Sequence, residues 1–436
     1  MSILSKHLPA IHVEHHKYTA DSPTEKMPAP DKVYISMAQH IGAPCQPKVV
    51  VGDLVKVGQV IGDSEAFVSA PIHSSVSGKV TAIDKALSSA GVWDLTVTIE
   101  TDKKQEVMEE LAPPQITDKD SFIKAVRNSG LVGLGGAAFP THVKFNPKNL
   151  NEVDTFIING AECEPYLTAD YRNMMENSEL LVNGLKNTLK YLKIKRGIIG
   201  VETNKPRAID KLRTMVMDTP EIEVMELKAV YPQGGERVLI YETTGREIPI
   251  GKLPADIGAI VSNISSMVAL GTYIETGMPL IAKKVTVAGN AIQTPRNVEA
   301  LIGTQVSQLI QFCGGYKGEP KKIIMGGPMM GLAIYSDGMT VNKNTSGILA
   351  FDEDSATVPK ETACINCGRC VRACPMHLMP TWLAKACKAN DVEALQKLNV
   401  NLCMECGCCS YVCPAKKQLS FTHKLGKRLV VEGGKK

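Results

Sequence analysis

Short apolar runs separated by Gly and Asp dominate the first hundred residues. Pro47 to Gly62 and Ala70 to Val80 alternate such runs with turn residues, which is the pattern of short β-strands rather than helices. We therefore predict that residues 1–110 form a β domain.

This N-terminal segment resembles a barrel-sandwich of the lipoyl or biotinyl type. Carrier domains of that type attach their cofactor to a lysine at a hairpin tip. The corresponding stretch here, Gly62 to Ser69, contains no lysine. The resemblance implies a barrel-sandwich with a structural or docking role rather than a swinging arm.

The middle of the chain changes to mixed patterns. Ser121 to Asn128 has helical spacing, and Asp154 to Ile158 is a short β-like run. Ile257 to Ile274 is uncharged, but Asn263 and several Ser and Thr residues interrupt it. We expect this run to be buried core rather than a membrane span, and predict an α/β domain over residues 111–278.

Four polar loops accompany these elements. The first, Gly130 to Phe145, is rich in glycine, so its unshielded amides let a phosphate or a flat ring approach closely. Asn159 to Pro165 follows a predicted strand, where ligand sites of α/β sheets lie. Gln233 to Arg237 opens a predicted helix, and Ser262 to Ser266 follows an apolar run. The loop from Asn159 to Pro165 carries Glu162 and Glu164 and is called the acidic loop below. A solvated turn remains an alternative for it.

Two further segments complete the predicted organisation. Lys283 to Gly315 reads as a β-hairpin followed by a helix, and Met379 to Leu402 reads as one helix with an apolar face. The basic tail, Lys416 to Lys436, is expected to be a solvated end, with contact to an acidic partner or anionic lipid as the alternative.

Composition narrows the possible functions. A chain of 436 residues with 44% hydrophobic content exceeds one core and favours about three domains. The formal charge of +4 is too small to favour nucleic acid as a partner. The N-terminus lacks a secretory pattern, so we expect a cytoplasmic location, in which the 13 cysteines favour metal ligation over disulfides.

Eight of these cysteines form two copies of one pattern, C-x2-C-x2-C-x3-C-P. This is the spacing of bacterial ferredoxins with two [4Fe–4S] clusters, in which the fourth cysteine of each motif ligates the other cluster. We assign the first cluster to Cys364, Cys367, Cys370 and Cys413, and the second cluster to Cys374, Cys403, Cys406 and Cys409. Two zinc sites are the alternative, but they normally show separated cysteine pairs.

The four polar loops resemble, in the same order, those of the NADH- and FMN-binding flavoprotein subunit of respiratory complex I. The resemblance implies flavin or nucleotide contacts from Gly133, Gly135, Gly136, Lys144, Asn159, Glu162 and Glu164, phosphate contacts from Gly235, Glu236, Asn263 and Ser266, and a nicotinamide contact from Phe139. Leu134, Ala161, Arg237 and Ser262 depart from that family's motifs.

The whole chain resembles the C subunits of Rnf complexes, membrane-associated ferredoxin:NAD oxidoreductases coupled to ion pumping. The resemblance implies a multidomain α/β chain with a Rossmann-like FMN/NADH domain over residues 111–278 and a helical ferredoxin-type domain over residues 353–436. Between them, the segment Lys283 to Gly315 resembles the β-grasp module that follows the flavin domain in complex I, which we place over residues 279–352. It also implies FMN, two [4Fe–4S] clusters and NAD(H) as substrate, with hydride transfer carried out by the flavin and no catalytic side chain required.

The same resemblance implies a peripheral protein on the cytoplasmic face of the membrane, without a span of its own. Its partners would be the iron–sulfur and membrane flavin subunits of the complex and, indirectly, ferredoxin. Two alternatives remain at this stage: a cobalamin reductase with flavin and clusters, and a non-catalytic electron-relay protein.

Overall fold

The computed structural model describes residues 7–89 and 91–433 of the chain. These residues form four units in chain order: a β barrel-sandwich, a parallel α/β unit, a mixed sheet with one helix, and a helical unit that carries the paired cysteine motifs. Among the described residues, every helix is too short or too polar to traverse a lipid bilayer.

The first unit is a sandwich of two small antiparallel sheets. Its strands are β1 (Glu25–Lys26), β2 (Lys32–Ser36), β3 (Gln46–Pro47), β4 (Leu54–Val55), β5 (Val60–Asp63), β6 (Ile72–His73), β7 (Gly78–Leu87) and β8 (Trp93–Thr101). One sheet has the order β2-β8-β7-β4 and the other β3-β5-β6, while β1 joins a later sheet. Alternate residues of β2 and β8, such as Val33, Ile35, Val97 and Ile99, fill the core between them.

The second unit is a parallel sheet with helices packed around it. Its elements are α1 (Lys119–Asn128), α2 (Thr141–Lys144), β9 (Thr155–Gly160), α3 (Ala169–Glu176), α4 (Ser178–Leu192), β10 (Arg196–Glu202), α5 (Pro206–Val216), β11 (Ile222–Leu227), α6 (Glu236–Thr244), β12 (Ala259–Asn263) and α7 (Ile264–Thr276). The strand order is β11-β10-β9-β12. The order reverses between β9 and β12, which creates a topological switch point there.

The uncharged run that raised the membrane question folds as β12 and most of α7. Its strand is covered on both faces, and its helix packs against α4. The prediction of a buried core segment is therefore confirmed. The helix predicted at Ser121 and the strand predicted near Ile157 are confirmed as α1 and β9.

The third unit is a six-stranded mixed sheet. Its elements are β13 (Ala282–Ala288), β14 (Arg296–Leu301), α8 (Val306–Phe312), β15 (Lys322–Met325), β16 (Leu332–Ile334) and β17 (Gly347–Phe351). The strand order is β1-β14-β13-β17-β15-β16, so β1 of the N-terminal segment completes the edge beside β14. The predicted hairpin and helix are confirmed as β13, β14 and α8.

The fourth unit is built from short helices. They are α9 (Glu353–Ala356), α10 (Arg369–Arg372), α11 (Pro380–Lys388), α12 (Val392–Lys397), α13 (Cys408–Tyr411) and α14 (Leu419–Gly433). The prediction of a single helix from Met379 to Leu402 is wrong. Asn390 has a left-handed φ of 52°, and the Asp391 side chain caps α12, so the chain breaks into two helices.

The prediction of a solvated C-terminal end is also wrong for residues 416–433. Helix α14 packs against α11 and buries Leu419, His423, Gly426 and Val430. These positions are spaced three or four residues apart, which is the pattern of one buried helix face. The many charged residues of the opposite face obscured this pattern in the sequence. Residues 434–436 lie outside the described residues.

Candidate functional site

The switch point of the parallel sheet brings two of the predicted site residues together. Asn159 and Asn263 are in register at the carboxyl ends of β9 and β12. The Asn159 amide donates to the Gly234 carbonyl at 2.8 Å, and the Asn263 side chain accepts from the Ser265 amide at 2.8 Å as the N-cap of α7. Three of the four predicted loops therefore meet at this edge, where α/β sheets bind ligands.

The glycine-rich loop lies over the same edge. The Leu134 amide donates to the Ser266 hydroxyl at 3.1 Å, and the Gly133 amide donates to the Phe139 carbonyl at 2.9 Å. A Cβ at Gly135 would lie 2.6 Å from the Asn263 amide nitrogen, so the close approach of the loop to β12 requires glycine. Phe139 is half-buried beside the loop.

The tip of this loop presents bare backbone to open space. Gly135 and Gly136 are exposed, and a Cβ at Gly136 would meet no atom within 4 Å. The tip lies beside the start of α7, and exposed glycine backbone of this kind lets a flat ring and a phosphate approach closely. This geometry fits FMN.

A charged pair connects the glycine-rich segment to α6. Lys144 Nζ lies 2.8 Å from Glu236 Oε2, and both side chains are partly exposed. Gly235 is the N-cap of α6, so the pair sits at the start of a helix. The loop from Gln233 to Arg237 is thus joined to the glycine-rich segment, so all four predicted loops lie together.

The two predicted glutamates of the acidic loop are held inside the protein. Glu162 is buried and accepts from the amides of Asp170 and Tyr171 at the start of α3. Glu164 accepts from the amides of Met329 and Met330 at 3.0 and 2.9 Å. Burial raises the pKa of both carboxyls, that of Glu164 to about 7, against the lowering effect of these backbone donors.

Two residues that sequence reasoning missed hold this region in place. The Lys17 ammonium is buried and donates to the carbonyls of Glu162, Glu164 and Leu167, which fixes the acidic loop. The Asp170 carboxylate accepts from the side chains of Asn263 and Ser265 at 2.7 and 2.5 Å. Neither residue belongs to a sequence motif. Each contacts residues far away along the chain, and no local pattern indicates such contacts.

The eight motif cysteines separate into two groups in space. Cys374, Cys403, Cys406 and Cys409 line one enclosed cavity, together with Cys408 and His423. Burial raises the pKa of the Cys370 thiol, and the nearby Cys413 and Cys367 thiols raise this pKa further. Cys374 of the first motif thus lies with the cysteines of the second motif, and Cys413 of the second motif lies beside Cys370 of the first. The crossover assignment itself stays a prediction.

The second group surrounds a cavity rather than a single point. Within the described part of the chain, no three His, Cys, Asp or Glu side chains converge closely enough to hold a single metal ion. Four thiols around a cavity are the donor set of an iron–sulfur cubane, so the residues fit [4Fe–4S] clusters. Cys387 and Cys408, which were not assigned as ligands, are buried in apolar packing.

The second cysteine group lies against the α/β unit. A Cβ at Gly235 of that unit would lie 2.5 Å from the Met404 methyl. The same group also contacts the third unit, since a Cβ at Gly407 would lie 3.1 Å from the Met329 carbonyl. The Cys408 thiol lies 4.0 Å from the Tyr231 carbonyl. In contrast, Cys364 and Cys367 of the first group are exposed.

Four protein families match the chain in the order of its units. They are the RnfC barrel sandwich hybrid domain at residues 8–104, the Nuo51 FMN-binding domain at 126–272, the SLBB domain at 284–333 and the 4Fe-4S dicluster domain at 363–417. The chain therefore carries an FMN-binding domain and a domain for two [4Fe–4S] clusters.

A solved structure shares the fold. An air-oxidised NAD⁺-reducing [NiFe]-hydrogenase is similar with a TM-score of 0.51 and 15% identity, over 72% of this chain and 61% of that chain. At this identity the similarity concerns the fold alone.

Three relatives each match most of the chain. The C subunit of the proton-translocating ferredoxin:NAD(+) oxidoreductase complex of Clostridium ljungdahlii is 46% identical over 84% of this chain and 81% of its own length. Its Na(+)-translocating counterpart from Acetobacterium woodii is 41% identical over 95% and 94%, and the C subunit of an ion-translocating oxidoreductase complex from Rhodobacter capsulatus is 39% identical over 89% and 76%. The chain therefore belongs to the family of C subunits of Rnf-type ion-translocating ferredoxin:NAD oxidoreductase complexes.

Proposed function

We propose that this chain exchanges hydride with NAD(H) at its FMN site and conducts single electrons through its two clusters to or from a partner subunit. FMN supplies the conversion between a hydride and single electrons, and the protein supplies orientation and distance. The predicted contacts, from Gly133 to Ser266, hold the flavin at the switch point. The names of the relatives above support NAD as the substrate.

The observation that carries this proposal is the asymmetry of the two cysteine groups. The second group, which begins with Cys374, is packed against Gly235 and Tyr231 of the flavin-binding unit. The first group has Cys364 and Cys367 at the surface. Electrons therefore pass between the flavin and the second-group cluster, and then between the first-group cluster and the partner.

The surroundings of the first group suit a docking partner of opposite charge. Arg369, Arg372 and Lys416 line the open surface beside Cys413. An acidic electron carrier or subunit would be attracted there, as is common for electron-transfer encounters.

We place the chain on the cytoplasmic face of the membrane, held by other subunits of the complex.

Anaerobic purification with iron and flavin quantitation tests the proposal. We expect about eight irons and about one FMN per chain. NADH with an artificial acceptor should then bleach the flavin and cluster absorbance rapidly. Full clusters without flavin and without bleaching would contradict the proposal and leave an electron relay.

A further inference from the structure

Tyr231 occupies the junction between the flavin-binding unit and the second cysteine group. Its backbone pairs with Ile11 in both directions, at 2.9 and 2.8 Å, and its carbonyl faces the Cys408 thiol. It lies two residues before Gln233, which opens the loop that ends at Glu236. The residue therefore belongs to the flavin-binding unit and packs against the second cysteine group.

The Tyr231 side chain is enclosed, with 1% of its surface exposed. Its hydroxyl has no hydrogen-bond partner among the described residues. A buried hydroxyl without a partner costs about 1–3 kcal/mol, and such groups are rare in native proteins. The position therefore calls for an acceptor that is present in the assembled protein.

The neighbours of the hydroxyl identify that acceptor. The groups close enough to act electrostatically on it are Glu164, Cys163, Cys406 and Cys408. Of these four, Cys406 is the one assigned as a cluster ligand, so its sulfur becomes an anionic and stronger acceptor when the cluster is bound. Cys406 also packs in the same buried hydrophobic cluster as Tyr231.

We propose that the Tyr231 hydroxyl donates a hydrogen bond to the Cys406 sulfur when the second-group cluster is in place, and thereby raises the reduction potential of that cluster. A donor to a cluster sulfur favours the more negative, reduced state, so its presence shifts the potential upward. The inference rests on the proposed function only in requiring that Cys406 ligates a cluster. It makes Tyr231 a tuning residue at the step nearest the flavin.

Potentiometric titration of the holoprotein with dithionite, followed by EPR, tests this inference. In Tyr231→Phe we expect the potential of the second-group cluster to become more negative, so that its reduced-to-oxidised ratio at a fixed applied potential falls about tenfold. The first-group cluster should be unchanged. Tyr316→Phe is the matched control, since that hydroxyl donates to Asp337 in the third unit. An unchanged potential in Tyr231→Phe overturns the inference.

A second variant decides the matter if the phenylalanine variant fails to retain its cluster. Fluorotyrosine at position 231 keeps the ring and strengthens the donor, so the potential should move upward. No shift with fluorotyrosine also overturns the inference. Dithionite reduces the clusters without NADH or FMN, so a failure here is distinguishable from a failure of the NADH dehydrogenase proposal.

Discussion

Asn159 and Asn263 stand side by side, in register, at the carboxyl ends of β9 and β12. Each side chain forms hydrogen bonds to a different segment. Asn159 donates to the Gly234 carbonyl, whereas Asn263 donates to the Asp170 carboxylate and accepts from the amide of Ser265 at the start of α7. The pair marks the switch point of the sheet. These hydrogen bonds explain why loops that are far apart in the sequence lie together at this edge.

Asn263→Ala should weaken both the helix and the flavin site. It removes the N-cap of α7, and we expect the free energy of unfolding to fall by about 0.5–2 kcal/mol. It also removes the donor to Asp170, so FMN retention after gel filtration should decrease. Chemical denaturation and flavin absorbance measure the two effects.

Asn263→Asp separates these two effects. Aspartate is an equally good N-cap, so the helix should be preserved. Its carboxylate would face that of Asp170, at the position where the amide nitrogen now lies 2.7 Å away. The added negative charge should repel the FMN phosphate and lower flavin content below that of Asn263→Ala. Wild-type flavin content in the aspartate variant would remove Asn263 from the phosphate site.

Lys144→Ala should reduce flavin binding without much loss of stability. The pair with Glu236 is partly exposed, and such pairs contribute about 0–1 kcal/mol to folding. We therefore expect a melting temperature close to that of the wild type, with weaker FMN retention and slower oxidation of NADH. Arg213→Ala is the matched control, because Arg213 forms a similarly exposed pair with Glu226 at 2.9 Å, away from these loops. Equal flavin loss in both variants would show a general effect of lost charge.

Glu164 should make stability depend on pH. Its pKa is raised from 4.5 to about 7, chiefly by burial, so the folded chain holds a proton that the unfolded chain releases. Stability contributed by this proton is present at low pH and falls as the pH rises from about 4.5 to 7, by about 3 kcal/mol in total. Glu164→Gln removes this dependence.

The measurement is thermal unfolding of both proteins across that pH range. Relative to the wild type, Glu164→Gln should be least stable at the acidic end and should gain steadily towards pH 7. Its amide cannot accept from both Met329 and Met330, which lowers its stability by a constant amount. The exposed Glu110→Gln serves as control. Parallel curves for Glu164→Gln and the wild type would argue against a raised pKa.

The sequence allowed prediction of features whose signal is local. The spacing of the cysteines lies within single loops, and the order of the polar loops is readable along the chain. The break at Asn390 was also local, since Asp391 is a helix-capping residue, but the apolar spacing around it favoured one continuous helix. The packing of α14 was hidden because its buried positions lie among many lysines.

The supporting contacts were not predictable in the same way. Lys17 contacts the acidic loop from about 150 positions away, and Met404 contacts Gly235 across two units. Such contacts depend on how complete units dock, for which a single sequence contains no periodic signal. The same reason explains why Tyr231 stood outside every motif.

Cys374→Ala is expected to damage the cluster that the second motif mainly binds. Although Cys374 belongs to the first motif, it lines the cavity of Cys403, Cys406 and Cys409. Its removal leaves three ligands there and four for the other cluster, so iron content should fall and one EPR signal should weaken. Cys387→Ala is the matched control, because Cys387 is a buried cysteine of the adjacent helix α11. We expect that control to keep both clusters. Selective loss of the first-group cluster in Cys374→Ala would show that each motif binds its own cluster, and would overturn the crossover assignment.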